Sequence, residues 1–599
     1  MRIDGYAPIR DYAAIGDGRT VGLVALDGAI DWLCLPDVDS PPVFGRLLDA
    51  ERGGCFRLEP VERFEATRTY REGSNVLETT FRTPSGAVRV TDALVLADRT
   101  IGSPMRELIR RIDTLAGRVP MRWSIEPAFD FGRKRFRIEH RRGRVVVQAA
   151  RDALAVASWG GGDPRIEDDT IQGEFTAEDG RPVVLSLASA HGEPLVLVGP
   201  DQPETALDRT DTFWREWSSR ARYDGPWREA VIRSALVLKL LVYAPSGAIV
   251  AAPTSSLPER IGGERNWDYR FTWLRDATWT LDMLLTLGYH DEAEAFFWWL
   301  MHASRLSQPR LDVLYGIDGG AHLKERVVNG VLGYRGSRPV RTGNGAARQI
   351  QLDVYGSVLD GIWRYAGEVG RIDGDTGKEV AKIADYVAKS WSRPDNGIWE
   401  VRGEPSHFTQ SKAMCWLALH RATQLAGDGV IPDRSGEWNR AAEDAVRFYE
   451  ERGWDEQLAC YVRAPDRREP DASLLTLSVL ECVDPRSERM LKTIDAVRRE
   501  LRAGPFLYRY LGEDGLPPGE GAFLACSFWL VAALARAERL DEAGELMEEL
   551  LAAANDVGLY AEEIEPTTGE FLGNFPQGLT HLGLVAAAIS LSDIDRDRR

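Results

Sequence analysis

Two stretches of this chain carry carboxyl groups placed where they could handle protons. GIWEVRGEPSHFT sets Glu400 directly after Trp399. A carboxyl beside a large apolar ring can be held protonated by desolvation, as a general acid must be. YAEEIEPTTGEFLGNFPQ sets Glu562 and Glu563 side by side in a loop, so one of the two could face a pocket and activate water while the other is structural. A pair of carboxyls across a pocket is what hydrolysis of a glycosidic bond requires. A third stretch, RNWDYRFTWLRD, supplies Trp267, Trp273, Arg275 and Asp276. Aromatic faces pack on the CH-rich face of a pyranose, and charged groups bind its hydroxyls through charge-assisted hydrogen bonds. That mixture suits a sugar, although core tryptophans and a helix-start ion pair would account for the same residues. Each glutamate taken alone could be an ordinary surface residue; it is their convergence that points to chemistry.

Other chemistries lack their residues. The chain has 8 histidines, of which His407 and His581 fall near the loaded loops, and both suit hydrogen-bonding support better than catalysis. No GxSxG, HExxH or Walker motif is present. The cysteines (Cys34, Cys55, Cys415, Cys460, Cys482, Cys526) lack CxxC spacing, which fits reduced thiols in a cytoplasmic protein rather than a zinc site or a secreted disulfide framework. No metal or cofactor is expected. A formal charge of -18 argues against nucleic acid or an anionic membrane as partner, since both need a basic surface. The N-terminus has no apolar core of signal-peptide length, and the greasiest stretch, SALVLKLLVYA, is too short to span a bilayer and carries Lys239.

The elements that must position these residues fall into two parts. Residues 1–205 mix alternation with short apolar runs between Gly, Asp and Pro turns, with a hairpin turning at Pro84-Ser85-Gly86, and predict a β-sandwich. Residues 206–226, polar and Trp-bearing, read as a linker helix. Residues 227–599 hold about twelve helical segments of two alternating characters. Amphipathic ones lie near 227–244, 290–304, 376–390, 436–451, 485–500 and 540–554. Apolar ones lie near 275–288, 352–369, 407–425, 471–481, 521–537 and 577–592. Outer helices alternating with buried inner ones predict an (α/α)6 barrel, with an open solenoid as the competing arrangement. All the loaded loops precede inner helices, so they share one mouth of the barrel, and their length marks them as functional.

With these residues in place, the chain resembles glycoside hydrolase family 15, the glucoamylase and bacterial trehalase group. APTSSLPE, RNWDYRFTWLRDA, QLDVYG, GIWEVRG, HFTQSKAMCW, GEGAFLACSFW and GEFLGNFPQGLTHLGL follow in the order of the family's barrel motifs. The segment YAPIRDYAAIGDGRTVGLVALDGAIDWLCLPDVDSPPVFGRLLD is similar to the N-terminal domain of trehalase-like members. The resemblance implies exo-acting, inverting hydrolysis of α-glucosidic bonds with release of β-glucose. It implies Glu400 as general acid and Glu562 as general base, with Ala561 and Glu563 where glucoamylases often have Ser and Gln. It implies that Trp273, Arg275 and Asp276 hold the terminal glucose, with Trp399 and Arg509 also binding sugar. The expected partner is an α-linked glucose disaccharide or oligosaccharide: trehalose first, with malto- and isomalto-oligosaccharides close behind. A sugar phosphorylase on the same architecture would not need the base, and a non-catalytic glycan-binding protein would have lost one carboxylate.

Overall fold

The computed structural model describes residues 2–96, 106–141, 144–197, 199–200, 202–321, 323–370 and 372–598. Alternating apolar positions in the first third of the chain become antiparallel strands, and one of them organises the rest. Strand Arg106–Glu126 is 21 residues long. Its first half pairs with Gly86–Val95 and Val183–His191, and its second half with Cys55–Pro60 and Thr170–Glu178. The exchange of partners falls at Gly117, whose φ of +70° and a Cβ position 2.1 Å from Ser85 O admit only glycine. One strand thus belongs to both sheets and ties the two layers of the sandwich together. The expected hairpin is present, joining Leu77–Thr83 to Gly86–Val95.

Strands Tyr12–Gly16, Val21–Ala25 and Ile30–Cys34 are buried at every position. Such continuous apolar runs mark strands covered on both faces. Here the second cover is the helical part of the chain: Ala244 N donates to Gly18 O (2.7 Å) and Trp32 Nε1 to Pro253 O (2.9 Å). The helix expected near 206–226 runs from Gln202 to Ser219. It ends earlier because the Arg220 and Ala221 N–H groups turn to carbonyls three residues back.

The remaining helices alternate as expected. The outer ones are α1 (Arg228–Leu241), α3 (His290–Ala303), α5 (Gly374–Ser390), α7 (Ser435–Arg452), α9 (Glu488–Leu501) and α11 (Leu540–Leu551). The inner ones are α2 (Leu274–Thr286), α4 (Asp353–Glu368), α6 (Thr409–Gly427), α8 (Thr476–Val479), α10 (Leu524–Arg536) and α12 (Gly578–Arg598). Burial separates the two kinds. In α11 only Ala543, Leu546, Met547 and Leu550 are buried, one stripe at helical spacing, whereas in α10 every residue from Leu524 to Ala535 is. Each inner helix packs on the next, and α12 packs on α2. That last contact closes the ring, so the barrel, not the solenoid, is the architecture.

One inner segment departs from expectation. In place of a full helix over 471–481 stand a 3-10 turn, Ala472–Leu475, and the single turn α8. Hydroxyls compete for the backbone there: Thr476 Oγ1 donates to Ser473 O (2.6 Å) and Ser478 Oγ to Leu475 O (2.9 Å). Glu481, with φ +58°, then turns the chain out.

Candidate active site

The connections that enter inner helices at their N-terminal ends line a pocket of about 630 Å3 counting its open mouth. Its lining includes Glu400, Glu562, Trp273, Arg275, Asp276, Trp399 and Arg509. These seven candidates are therefore brought together, although they come from four separate connections.

Glu400 sits at φ +56°, in the left-handed region that a non-glycine residue occupies only when its surroundings force it. The surroundings do so. Arg275 Nη1 donates to Ile398 O (2.8 Å), and Gln349 Nε2 donates to Glu400 O (3.1 Å) and Val401 O (3.3 Å). Glu400 N closes the turn on Gly397 O (3.1 Å). The side chain then reaches the Trp273 indole, whose Nε1 donates to Oε1 at 2.5 Å.

Glu562 stands at the edge of a small sheet made by Ala522–Phe523, Glu563–Ile564 and Phe571–Leu572. Its Oε1 accepts the Tyr269 phenol (2.7 Å) and its Oε2 the Asn574 N–H (3.3 Å). Gly573, φ +71°, passes so close that a Cβ would lie 2.5 Å from Oε2. Tyr269 and Trp273 meet edge to face with centroids 5.2 Å apart. Two adjoining rings thus hold the two carboxyls, one each. Glu563 faces away from the cavity and accepts Gly521 N–H at Oε2 (2.8 Å), as alternation along a strand demands of a neighbour.

Trp399 closes the floor. Its Nε1 donates to Asp471 Oδ2 (2.8 Å), and its ring leans on Phe523 at 5.7 Å and Trp529 at 5.9 Å. Asp276 accepts Arg275 Nε at 2.6 Å. Several lining residues were not singled out in the sequence. Glu259 accepts both Arg509 Nη2 (2.7 Å) and Trp267 Nε1 (3.0 Å), and Arg265 pairs with Asp514 (2.8 Å). Trp267 lies between the guanidinium groups of Arg341 and Arg402, each 4.5 Å from the ring centroid. Glu259 was within reach as the last residue of APTSSLPE; Asp514 had no signal beyond its loop. Among the described residues, neither His407 nor His581 lines the cavity. His581 instead accepts Tyr560 N–H at Nε2 (3.3 Å), bracing the Glu562 loop from behind.

Glu259, Glu520 and Glu563 bring oxygens within 4.8 Å of one another, a grouping that could hold a cation. The Arg509 guanidinium already fills that role, bonded to Glu259 and to Glu520 (2.5 Å). The sandwich secures these loops from outside. Arg10 donates to Ala554 O (2.7 Å) and Gly569 O (3.1 Å) on the Glu562 connection, and Arg270 donates to Ser40 O (2.6 Å).

Burial raises both carboxyls above the ordinary range. For Glu400, Arg275 and Arg402 pull part of the shift back. For Glu562, the nearby Glu259 adds to burial and pushes it to about 8. A pH profile should display these couplings. If Glu562 must be ionised and Glu400 protonated while Glu562 has the higher pKa, the alkaline limb of kcat/KM follows Glu562 and the acid limb follows Glu400. Glu259→Gln removes a negative neighbour, lowers the Glu562 pKa and moves the alkaline limb to lower pH. Arg402→Gln removes a positive neighbour, raises the Glu400 pKa and moves the acid limb to higher pH. Limbs that stay fixed in both variants would show that other groups set them.

Comparison with known proteins completes the description. The family model described as glycosyl hydrolases family 15 matches residues 225–589, and the one described as trehalase-like, N-terminal, matches residues 4–202. The chain belongs to glycosyl hydrolase family 15. It is therefore a glycoside hydrolase, with an N-terminal β-sandwich and an (α/α)6 barrel. It is 35% identical to a trehalase of Thermoplasma volcanium, over 99% of this chain and 95% of that one. It is 38% identical to a trehalase of Mycolicibacterium smegmatis, over 98% and 91%. A bacterial glucoamylase solved with acarbose shares the fold, with a TM-score of 0.71 at 13% identity over 99% of this chain and 97% of that one.

Proposed function

We propose that this family 15 enzyme hydrolyses trehalose with inversion. Glu400 protonates the departing glycosidic oxygen, and Glu562 removes a proton from the water that attacks the anomeric carbon from the opposite face. The observation that carries this reading is the pair of carboxyls, Glu400 and Glu562, each hung on one of two adjoining rings in a single pocket. Arg275 and Asp276 hold the terminal glucose, Trp399 lies beneath it, and Arg509 with Glu259 holds the wall beside Glu562. The closed floor supports exo action, since a chain cannot thread past Trp399. Similarity to trehalases along nearly the whole chain supports trehalose over longer glucans. We take residues 1–205 as the bracing domain, 206–226 as the linker and 227–599 as the catalytic domain. Six free, buried cysteines suit a cytoplasmic setting. Among the described residues, no helix is long and apolar enough to cross a membrane.

The raised pKa values do not order the two roles as this mechanism does, because Glu562 is shifted to about 8 while flanking arginines restrain Glu400. The hydrogen bonds support the assigned order: Glu562 accepts from a phenol and a backbone N–H, donors that serve a carboxylate. Inversion needs carboxyls roughly 6.5–9.5 Å apart, leaving room for water. The test is glucose release from trehalose, maltose, isomaltose and soluble starch, with anomers read by proton NMR before mutarotation. Trehalose should be turned over best and give equal early amounts of both anomers; the non-reducing glucose of maltose should emerge as β. Early α-glucose from that position would imply retention, and faster turnover of starch than of trehalose would favour a glucoamylase.

A further inference from the structure

The inner helices meet the catalytic pocket at their N-terminal ends. Toward their C-terminal ends they enclose a second cavity on the same axis, about 1100 Å3 counting its open mouth. All six inner helices contribute to it, and the hydrolytic reaction has no use for it. Three ion pairs stand around its wall: Arg364 with Asp282 (3.2 Å), Arg421 with Asp360 (2.6 Å) and Arg536 with Glu481 (2.8 Å). Trp279 and Trp529 line its floor, edge to face at 5.8 Å.

The chemistry of the wall narrows what the cavity can hold. Each ion pair sets a guanidinium donor next to a carboxylate acceptor, and a sugar hydroxyl both donates and accepts. The pairs cancel in charge, and the further lining carboxylate Asp593 and the converging helix C-termini disfavour an anion, so the ligand is a sugar without acid or phosphate groups. The indole floor offers a surface to the CH face of a pyranose. We propose that this axial cavity is a second, non-hydrolytic site for a neutral sugar of one or two pyranose rings. It does not rest on trehalose being the substrate. Trp529 lies 5.9 Å from Trp399, so one run of adjoining indoles reaches from one site to the other.

The probe is D-glucose, titrated calorimetrically into the full chain. Ala586 lines the second cavity and is remote from Glu400 and Glu562, so Ala586→Phe fills the space without removing a charge. The expected result is that Ala586→Phe binds one glucose fewer than the unaltered protein, while Arg275→Ala keeps the site that Ala586→Phe loses. A crystal of the unaltered protein soaked in glucose should show a ring against Trp279, a result that stands even if Ala586→Phe does not fold. The proposal is overturned if Ala586→Phe binds glucose with unchanged stoichiometry and affinity. It is equally overturned if the soaked crystal holds only water there, or if a ring appears in the soak with no matching loss in the titration, which would mean binding at crystal concentration only.

Discussion

Glu400→Gln and Glu562→Gln are each expected to lower kcat by about 10²–10⁴-fold, the usual contribution of a general acid or base. Glu563→Gln should leave far more activity, because that carboxyl points away from the cavity to Gly521 N–H. Gln is nearly isosteric and can keep the acceptor role toward Trp273 or Tyr269, so loss of turnover in a folded variant reports on proton transfer and not on packing. The two losses should differ in kind. A substrate with a leaving group that needs no proton, α-glucosyl fluoride, should restore much of the rate to Glu400→Gln and little to Glu562→Gln. The reverse pattern would exchange the roles, in the direction that the higher pKa of Glu562 favours. Near-normal turnover in Glu562→Gln with loss in Glu563→Gln would mean that the strand presents its other face to the substrate.

What the sequence could disclose followed from periodicity and from local motifs. The alternation of wet and apolar helices was visible because burial on one stripe or on all sides leaves different compositions, as in α11 and α10. It failed at residues 471–481, where apolar content persisted but serine and threonine hydroxyls drew the backbone into tight turns. The site residues within motifs were legible because Glu400, Trp273, Arg275 and Asp276 are set by their own connections. The ion pairs of the wall were not. Arg509 meets Glu259, and Arg265 meets Asp514, from connections some 250 residues apart in sequence (|i−j| 250 and 249). The strained turn at Glu400 was equally hidden, since its φ is imposed by Arg275 and Gln349 from two other connections. Choosing between Glu562 and Glu563 needed the strand register, which two adjacent glutamates do not disclose.

Arg275→Ala is expected to lower kcat/KM by at least two orders of magnitude, more than loss of a sugar contact alone. Hydrogen bonds to a charged group are worth about 1.5–3 kcal/mol, and in the proposed complex this residue supplies one to glucose. It also holds Ile398 O at 2.8 Å and so fixes the turn that aims Glu400. Its removal further leaves Asp276 buried without its partner, a break that costs about 3–5 kcal/mol in buried pairs. The loss should therefore appear in kcat as well as in KM, since a relaxed turn misplaces the acid even when substrate saturates the pocket. Removing this positive neighbour should also raise the Glu400 pKa and carry the acid limb of the residual activity upward. Arg275→Lys keeps the charge and loses the fork, so it should retain the pH limb while recovering only part of the rate. Steady-state kinetics on trehalose and maltose distinguish the position of the residue: equal losses on both place it at the glucose common to them. A loss confined to one substrate would move Arg275 to the leaving-group side, and the orientation of substrate in the pocket would have to be reversed.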